Sequence, residues 1–197
     1  MAANTYSLSF TTGAALLVET VIIAKLRLEL GDWTEVRKEV LEQNTLQART
    51  ISTLKKLYGE ISRRLKNLSD EEIVLLATGD DAEQKQIIWL AICRHYTFIH
   101  DFTMEVIFEH FDRGRYLLTQ DDYDAFFNTK AEWHSNLDSV SSLTKSKARQ
   151  VVFKMLRECG VLNDHKEIAP QNLSDRLKDL IQHKEIEQIR LFPGAGS

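Results

Sequence analysis

Positively charged side chains are concentrated in two segments of this sequence, and both segments could bind phosphate groups. The first begins at Arg49 and reads RTISTLKKLYGEISRRLKNLSDEE. Its basic residues are interrupted only by Glu60 until consecutive acids follow at 70–72. Lys and Arg side chains on one outer surface attract polyanions such as nucleic acids. The candidate contacts are Arg49, Lys55, Lys56, Arg63, Arg64 and Lys66.

Helical periodicity predicts that this positive charge lies on the outer side of one amphipathic helix. A rotation of about 100° per residue places seven apolar residues on one continuous face. These residues are Ile51, Leu54, Leu57, Tyr58, Ile61, Leu65 and Leu68. The basic positions are Arg49, Lys56 and Arg63 opposite that face, Lys55 and Lys66 on one flank, and Arg64 on the other.

The acidic end of this segment has a separate cause. Ser69 followed by Glu72 is the pattern of a capping box, which marks the start of the next helix. Acids in the first turn of a helix are stabilised by the positive end of its dipole. The three acids therefore require no ligand.

The second basic segment reads SSLTKSKARQVVFKMLRECGVL, and Thr144 or Ser146 could cap its helix. Two shorter helical patterns precede it and VLNDHKEIAP follows in the place of a wing, an order typical of helix-turn-helix modules. The candidate contacts are Lys147, Arg149, Lys154 and Arg157. For either segment the alternative is that outward Lys and Arg serve solubility and local ion pairs.

Composition favours an all-α fold and limits the electrostatics. The chain has 25 Lys and Arg against 29 Asp and Glu, a net charge of −4, which excludes a protein that coats nucleic acid with its whole surface. Two prolines and eight glycines are too few for a sandwich or barrel of short strands. A break near Tyr116 predicts two small helical lobes, residues 1–116 and 117–197.

The apolar run from Gly13 to Leu30 predicts a buried helix rather than a membrane span, because Glu19 divides it and further charges follow. Thr11 or Thr12 could cap this helix, which should end near Gly31. Asp32 should cap a second helix, and a long apolar helix over 83–111 should form the hub of the N-terminal part.

No pattern in the sequence nominates a catalytic residue, a metal site or a cofactor. His95 and His100 are five residues apart, so their side chains point in different directions on a helix. Neither a nucleophile elbow nor a phosphate-binding glycine loop occurs. Cys93 and Cys159 form no Cys-x-x-Cys pair, which favours buried thiols in a reducing cytoplasm.

Several stretches resemble the BrxA family of small helical accessory proteins from BREX bacteriophage-exclusion systems. The most specific are NTLQART, from Asn44, and KARQVVFKMLRE, from Lys147, and the resemblance extends from Tyr6 to about Pro193. It implies a cytoplasmic, non-enzymatic protein encoded beside a methyltransferase, an ATPase and a phosphatase-like component. It also implies a helical fold similar to the antitermination factor NusB, and a role in contacting DNA.

Three functions remain open on these grounds. The first is binding of double-stranded DNA through backbone phosphates on the two basic helices. The second is a scaffold whose basic faces meet acidic surfaces of other BREX proteins. The third, RNA binding by analogy with NusB, rests on fold similarity alone.

Overall fold

The structure, a computed structural model, describes residues 6–195, apart from the side chains of Thr12, His183 and Lys184. In that range the chain forms eleven α-helices, and β-structure is limited to two isolated bridges. The predicted all-α fold is confirmed. The helices are α1 (Leu17–Leu30), α2 (Trp33–Gln43), α3 (Ile51–Leu65), α4 (Asp70–Thr78), α5 (Asp81–His95), α6 (Thr97–Phe102), α7 (Glu109–Asp112), α8 (Gln120–Ala131), α9 (Ser135–Asp138), α10 (Ser142–Glu158) and α11 (Asp175–Lys184).

Most helix boundaries follow from capping residues that the sequence shows. Asp32 caps α2 by accepting hydrogen bonds from the Thr34 and Glu35 amides. Ser69 and Glu72 form the predicted capping box at the start of α4. Gly31 ends α1 with a φ of 73°, a left-handed conformation that glycine adopts without steric cost.

The predicted start of the first helix is wrong. A short 3₁₀-helix, Ser9–Thr12, precedes an irregular segment, and α1 begins only at Leu17. The side chain of Thr12, one of the two predicted caps, lies outside the described residues. The segment stays irregular because its backbone groups bind distant side chains: Arg64 donates to the Ala14 and Ala15 carbonyls, and the Ala15 amide donates to Glu158.

The single long helix predicted over 83–111 is also wrong, because Tyr96 interrupts it. Tyr96 has extended backbone angles and separates α5 from α6. Its buried ring packs against Phe10, and its hydroxyl donates to Glu60. Beyond α6 a π-helix, Thr103–Phe108, continues into α7. These contacts explain a kink that apolar periodicity does not reveal.

Helix α10 begins earlier than predicted, since Ser141 rather than Thr144 or Ser146 caps it. The Ser141 hydroxyl accepts a hydrogen bond from the Thr144 amide. The last turn of α10 lies beside the N-terminal segment through Glu158. As predicted, Cys93 and Cys159 are buried free thiols.

Residues from both sides of Tyr116 share one hydrophobic core. The Phe98 ring on α6 lies 5.3 Å from that of Phe126 and 5.7 Å from that of Phe127, both on α8. The Trp89 indole donates to the Leu191 carbonyl at 3.1 Å, which joins the C-terminal segment to α5. The division into lobes 1–116 and 117–197 stays a prediction. None of the helices between residues 6 and 195 has the length and apolar character needed to cross a bilayer.

Replacing Trp89 with Phe should destabilise the protein by about 1–3 kcal/mol, because the buried Leu191 carbonyl loses its donor. Trp133→Phe is the matched control, since Trp133 is 81% exposed and its replacement should stay within about 0.5 kcal/mol. Urea denaturation followed by circular dichroism measures both changes. Equal stabilities of the two variants would contradict a structural role for this hydrogen bond.

Candidate nucleic-acid interface

Helix α3 presents a basic side because its opposite side is buried in the core. Thr50 caps the helix by accepting a hydrogen bond from the Thr53 amide. Leu54, Tyr58 and Ile61 are buried, as the periodicity predicted, although Ile51 is exposed at the first turn. The exposed basic residues around this helix are Arg49, Lys55, Lys56, Arg63 and Lys66.

The prediction that Arg64 lies on the outer flank of α3 is wrong. Arg64 is 1% exposed, and its guanidinium lies 2.8 Å from the carboxylate of Glu60, which is also buried. The same guanidinium donates to the Ala14 and Ala15 carbonyls at 3.0 and 3.3 Å. The Arg64 guanidinium is therefore buried and bonded to groups of the protein itself, so an external phosphate cannot reach it.

Glu60 is the anion of this buried network. Burial by itself would raise the pKa of its carboxyl group, but the Tyr96 hydroxyl and the Arg64 and Arg63 guanidinium groups hold that pKa below its usual range. Arg63 donates to the second carboxylate oxygen at 2.9 Å while remaining 57% exposed itself. Arg63 thus combines an internal ion pair with an exposed position.

Lys55, Lys56 and Lys66 have exposed side chains, and within residues 6–195 none of them forms an ion pair. A groove of about 410 Å³ between α2 and α3 runs beside two of them. It is lined by Trp33, Thr34, Arg37, Leu41, Lys55, Tyr58, Gly59, Ser62, Arg63 and Lys66. A second groove, of about 590 Å³, lies on the outer side of α3 and adjoins Lys56.

Trp33 and Arg37 also line this surface, although no sequence pattern predicted such a role for them. Two cations lie over the Trp33 ring. The Arg27 guanidinium carbon is 5.5 Å from the ring centroid, and the Lys66 side-chain nitrogen, just after α3, is 5.9 Å away. Tyr58 fixes the backbone there by donating to the Trp33 carbonyl at 3.0 Å. The only sequence signal was the apolar position of Trp33 on α2, which predicts burial equally well.

The basic residues of α10 divide into exposed and internally paired groups. Lys147 and Arg157 are exposed and form no ion pair within the described chain. Lys154 is exposed and lies 3.5 Å from Glu158. Arg149 is partly covered and donates to Asp124 of α8, so its charge is engaged within the protein, and its contact with a ligand stays a prediction.

A paired loop follows α10 in the place where the sequence predicted a wing. Leu162 pairs with Ile168, and Leu117 before α8 pairs with Glu167. Lys166, at the tip of this loop, has a φ of 61° and is exposed. It lines a groove of about 370 Å³ with Gln120, Arg149, Gln150, Phe153, Lys154 and Arg157.

The irregular segment before α1 connects the two basic helices. Its carbonyls at Ala14 and Ala15 accept from Arg64 of α3, and its Ala15 amide donates to Glu158 of α10 at 2.8 Å. Glu158 in turn pairs with Lys154. This segment therefore links α3 to α10 through polar contacts with each helix.

The histidines and acids of α5–α7 are engaged in separate contacts. His100 lies 3.0 Å from Asp101, which also accepts from the Tyr6 hydroxyl at 2.5 Å. His110 lies near Asp122 on α8 at 3.9 Å. Over residues 6–195 no group of three His, Cys, Asp or Glu side chains has the arrangement of a metal site.

Fold and surface together define a small all-helical protein with exposed cations along α3 and α10. The BrxA family model matches residues 4–185, and the chain belongs to the BrxA family. Proteins named BREX protein BrxA are 30% identical over 132 residues in Bacillus cereus and 27% identical over 145 residues in Escherichia coli. These alignments cover 67% and 74% of this chain, and 66% and 68% of the relatives, so the chain spans about two thirds of their length.

A relative from Paramagnetospirillum magneticum, also named BREX protein BrxA, is 25% identical over 166 residues and covers 84% of this chain and 83% of its own. A crystal structure of an uncharacterized protein from Magnetospirillum magneticum superposes with a TM-score of 0.82. The superposition covers 98% of this chain and 99% of that protein's chain, at 21% sequence identity. That likeness shows that the two share a fold; the resemblance to NusB stays a prediction.

Replacing Glu60 with Gln should cost about 3 kcal/mol near neutral pH, because Arg64 becomes a buried cation without its anion. Since the folded pKa of Glu60 is lowered, its contribution to stability is present above the unfolded value near 4.5 and is lost as pH falls through the folded value. The difference between wild type and variant should therefore shrink in acid. Urea denaturation at neutral and acidic pH measures it.

Glu105→Gln is the control, because Glu105 forms an exposed ion pair with Lys130 at 2.6 Å. Surface pairs of this kind contribute at most about 1 kcal/mol. A Glu60→Gln variant as stable as this control would contradict the buried network.

Proposed function

We propose that this protein is a non-enzymatic, cytoplasmic component of a BREX phage-defence system that binds double-stranded DNA through backbone phosphates. The proposal is supported by three exposed cations, Lys55, Lys56 and Lys66, which lie along α3 and at its C-terminal end. Lys55, Lys56 and Lys66 have no acidic partner within residues 6–195, in a chain with a net charge of −4. The family name connects the chain to BREX, because its relatives are named BREX proteins.

Unpaired surface lysines favour a polyanion as the ligand. A cation already bonded to a carboxylate must give up that contact before it can bind phosphate, whereas an unpaired cation only releases water and counterions. From Lys55 to Lys66 the helix rises about 16 Å, so its cations can meet several phosphates along one duplex. Such contacts fix position on DNA and carry little sequence preference.

Helix α10 supplies a second contact surface through Lys147, Lys154 and Arg157, with Lys166 on the loop that follows. Lys147 and Arg157 are the stronger candidates, since Lys154 pairs with Glu158. Arg149 is assigned a structural role in holding α10 against α8 through Asp124. Entry of α10 into the major groove would add sequence preference to the phosphate contacts.

Charge reversal of Lys55 and Lys56 together should weaken duplex binding and flatten its salt dependence. Each lost phosphate contact changes the slope of log affinity against log salt by about 0.9, so the slope should fall in magnitude by about 1.8. Fluorescence anisotropy with a labelled duplex over a salt series measures both effects. Reversal of Lys147 and Arg157 tests α10 in the same titration.

The matched control is Arg176→Glu with Lys178→Glu, which makes the same change in net charge on α11, away from the grooves beside α3 and α10. It should leave the slope nearly unchanged. If all three double variants weaken binding equally, net charge rather than these helix faces determines affinity. That outcome would contradict the assignment of the interface.

A second function, binding of other BREX proteins, is favoured by two exposed apolar side chains. Trp133 is 81% exposed after α8 and Leu143 is 79% exposed at the start of α10. Exposed aromatic residues are enriched at protein interfaces. Copurification of BREX components after nuclease treatment, without any binding of duplex DNA, would favour the scaffold. Tighter binding of structured RNA than of duplex DNA would favour an RNA-binding role.

A further inference from the structure

Gly59 lies at the centre of the basic side of α3. One helical turn before it is Lys55 and one turn after it is Arg63. Gly59 lines both the groove between α2 and α3 and the groove on the outer side of α3. The row of cations is therefore interrupted by a position with no side chain.

Nothing within the described chain requires glycine at this position. A methyl group added there would meet only a guanidinium nitrogen of Arg63, at 3.7 Å, which is an ordinary van der Waals contact. Gly31 differs because its φ is positive, and Gly79 differs because a Cβ would lie 2.6 Å from the Leu75 carbonyl oxygen. Glycine is among the poorest helix formers, so Gly59 lowers the stability of α3 without a packing benefit.

We propose that Gly59 is the point where a DNA phosphodiester lies against the backbone of α3, with Lys55, Lys56 and Arg63 around it. The proposal rests on the DNA-binding function and deepens it by locating one phosphate. Glycine is used in proteins where the backbone must approach a ligand closely. A side chain at this position would hold the phosphate further from the helix and from the cations on either side.

The charges around Gly59 suit a phosphate. Glu60 is the acid that lines the outer groove, but it is buried and bonded to Arg63, Arg64 and Tyr96. Its negative charge is therefore neutralised within the protein. The exposed groups that face a ligand on this side are Lys55, Lys56, Arg63 and the Ser52 hydroxyl.

Gly59→Ala separates a ligand contact from a structural role, because the two predict opposite changes. Alanine favours the helix, so the melting temperature should rise by about 2–4 °C. Affinity for a labelled duplex should nevertheless fall about tenfold, the size expected for weakening a charge-assisted contact. Gly59→Leu, with a larger side chain, should remain folded and bind more weakly than Gly59→Ala.

Thr129→Ala is the matched control. Thr129 is exposed on α8 and lines neither α3 groove, so its replacement should favour the helix without changing DNA affinity. Unchanged affinity in both Gly59 variants, with weaker binding after reversal of Lys55 and Lys56, would overturn this inference alone. A lower melting temperature of Gly59→Ala would overturn it as well, since glycine would then serve the fold. Absence of duplex binding by the wild type would instead overturn the proposed function.

Discussion

The buried ion pair between Glu60 and Arg64 determines how this molecule presents its charge. Two ions removed from water are costly unless every remaining polar group is satisfied. Here the Tyr96 hydroxyl donates to the carboxylate, while the Ala14 and Ala15 carbonyls accept hydrogen bonds from the guanidinium. The pair therefore accounts for the kink between α5 and α6 and for the irregular segment before α1.

The same network divides the cations of α3 into one that is buried with its partner and others that are exposed to a ligand. Arg63 and Arg64 are neighbours in sequence, yet one is 57% exposed on its side chain and the other is enclosed. Because Arg64 anchors α3 to the segment before α1, we expect the lysines of α3 to be held in place before a ligand binds. Preorganised charge of this kind reduces the entropic cost of association.

Much of the fold followed from local sequence patterns. The caps at Asp32 and Ser69 and the apolar face of α3 depend on neighbouring residues, so sequence alone predicted them. The errors share another physical cause, which is a contact between residues distant in the chain. Ala15 is hydrogen-bonded to Glu158, 143 residues away in sequence, and Tyr96 is hydrogen-bonded to Glu60, 36 residues away. A helical wheel shows only the residues of one helix and cannot predict such contacts.

The candidate site was predictable to a similar extent. The helical wheel placed Lys55, Lys56 and Arg63 on the outer side of α3 correctly. It misplaced Arg64, which also binds two carbonyls about 50 positions away, and it could not show that Arg149 is held by Asp124. No sequence pattern singled out Trp33 or Gly59, because the cations that surround each of them are evident only in the structure.

The salt dependence of wild-type binding to duplex DNA is the most direct test of phosphate binding by the cations of α3 and α10. Five of the cations without ion pairs within residues 6–195, namely Lys55, Lys56, Lys66, Lys147 and Arg157, are the strongest candidates for phosphate contacts. At about 0.9 for each contact, log affinity against log salt should have a slope of about −4 to −5. A slope near zero, or no binding at low salt, would contradict phosphate binding by these cations.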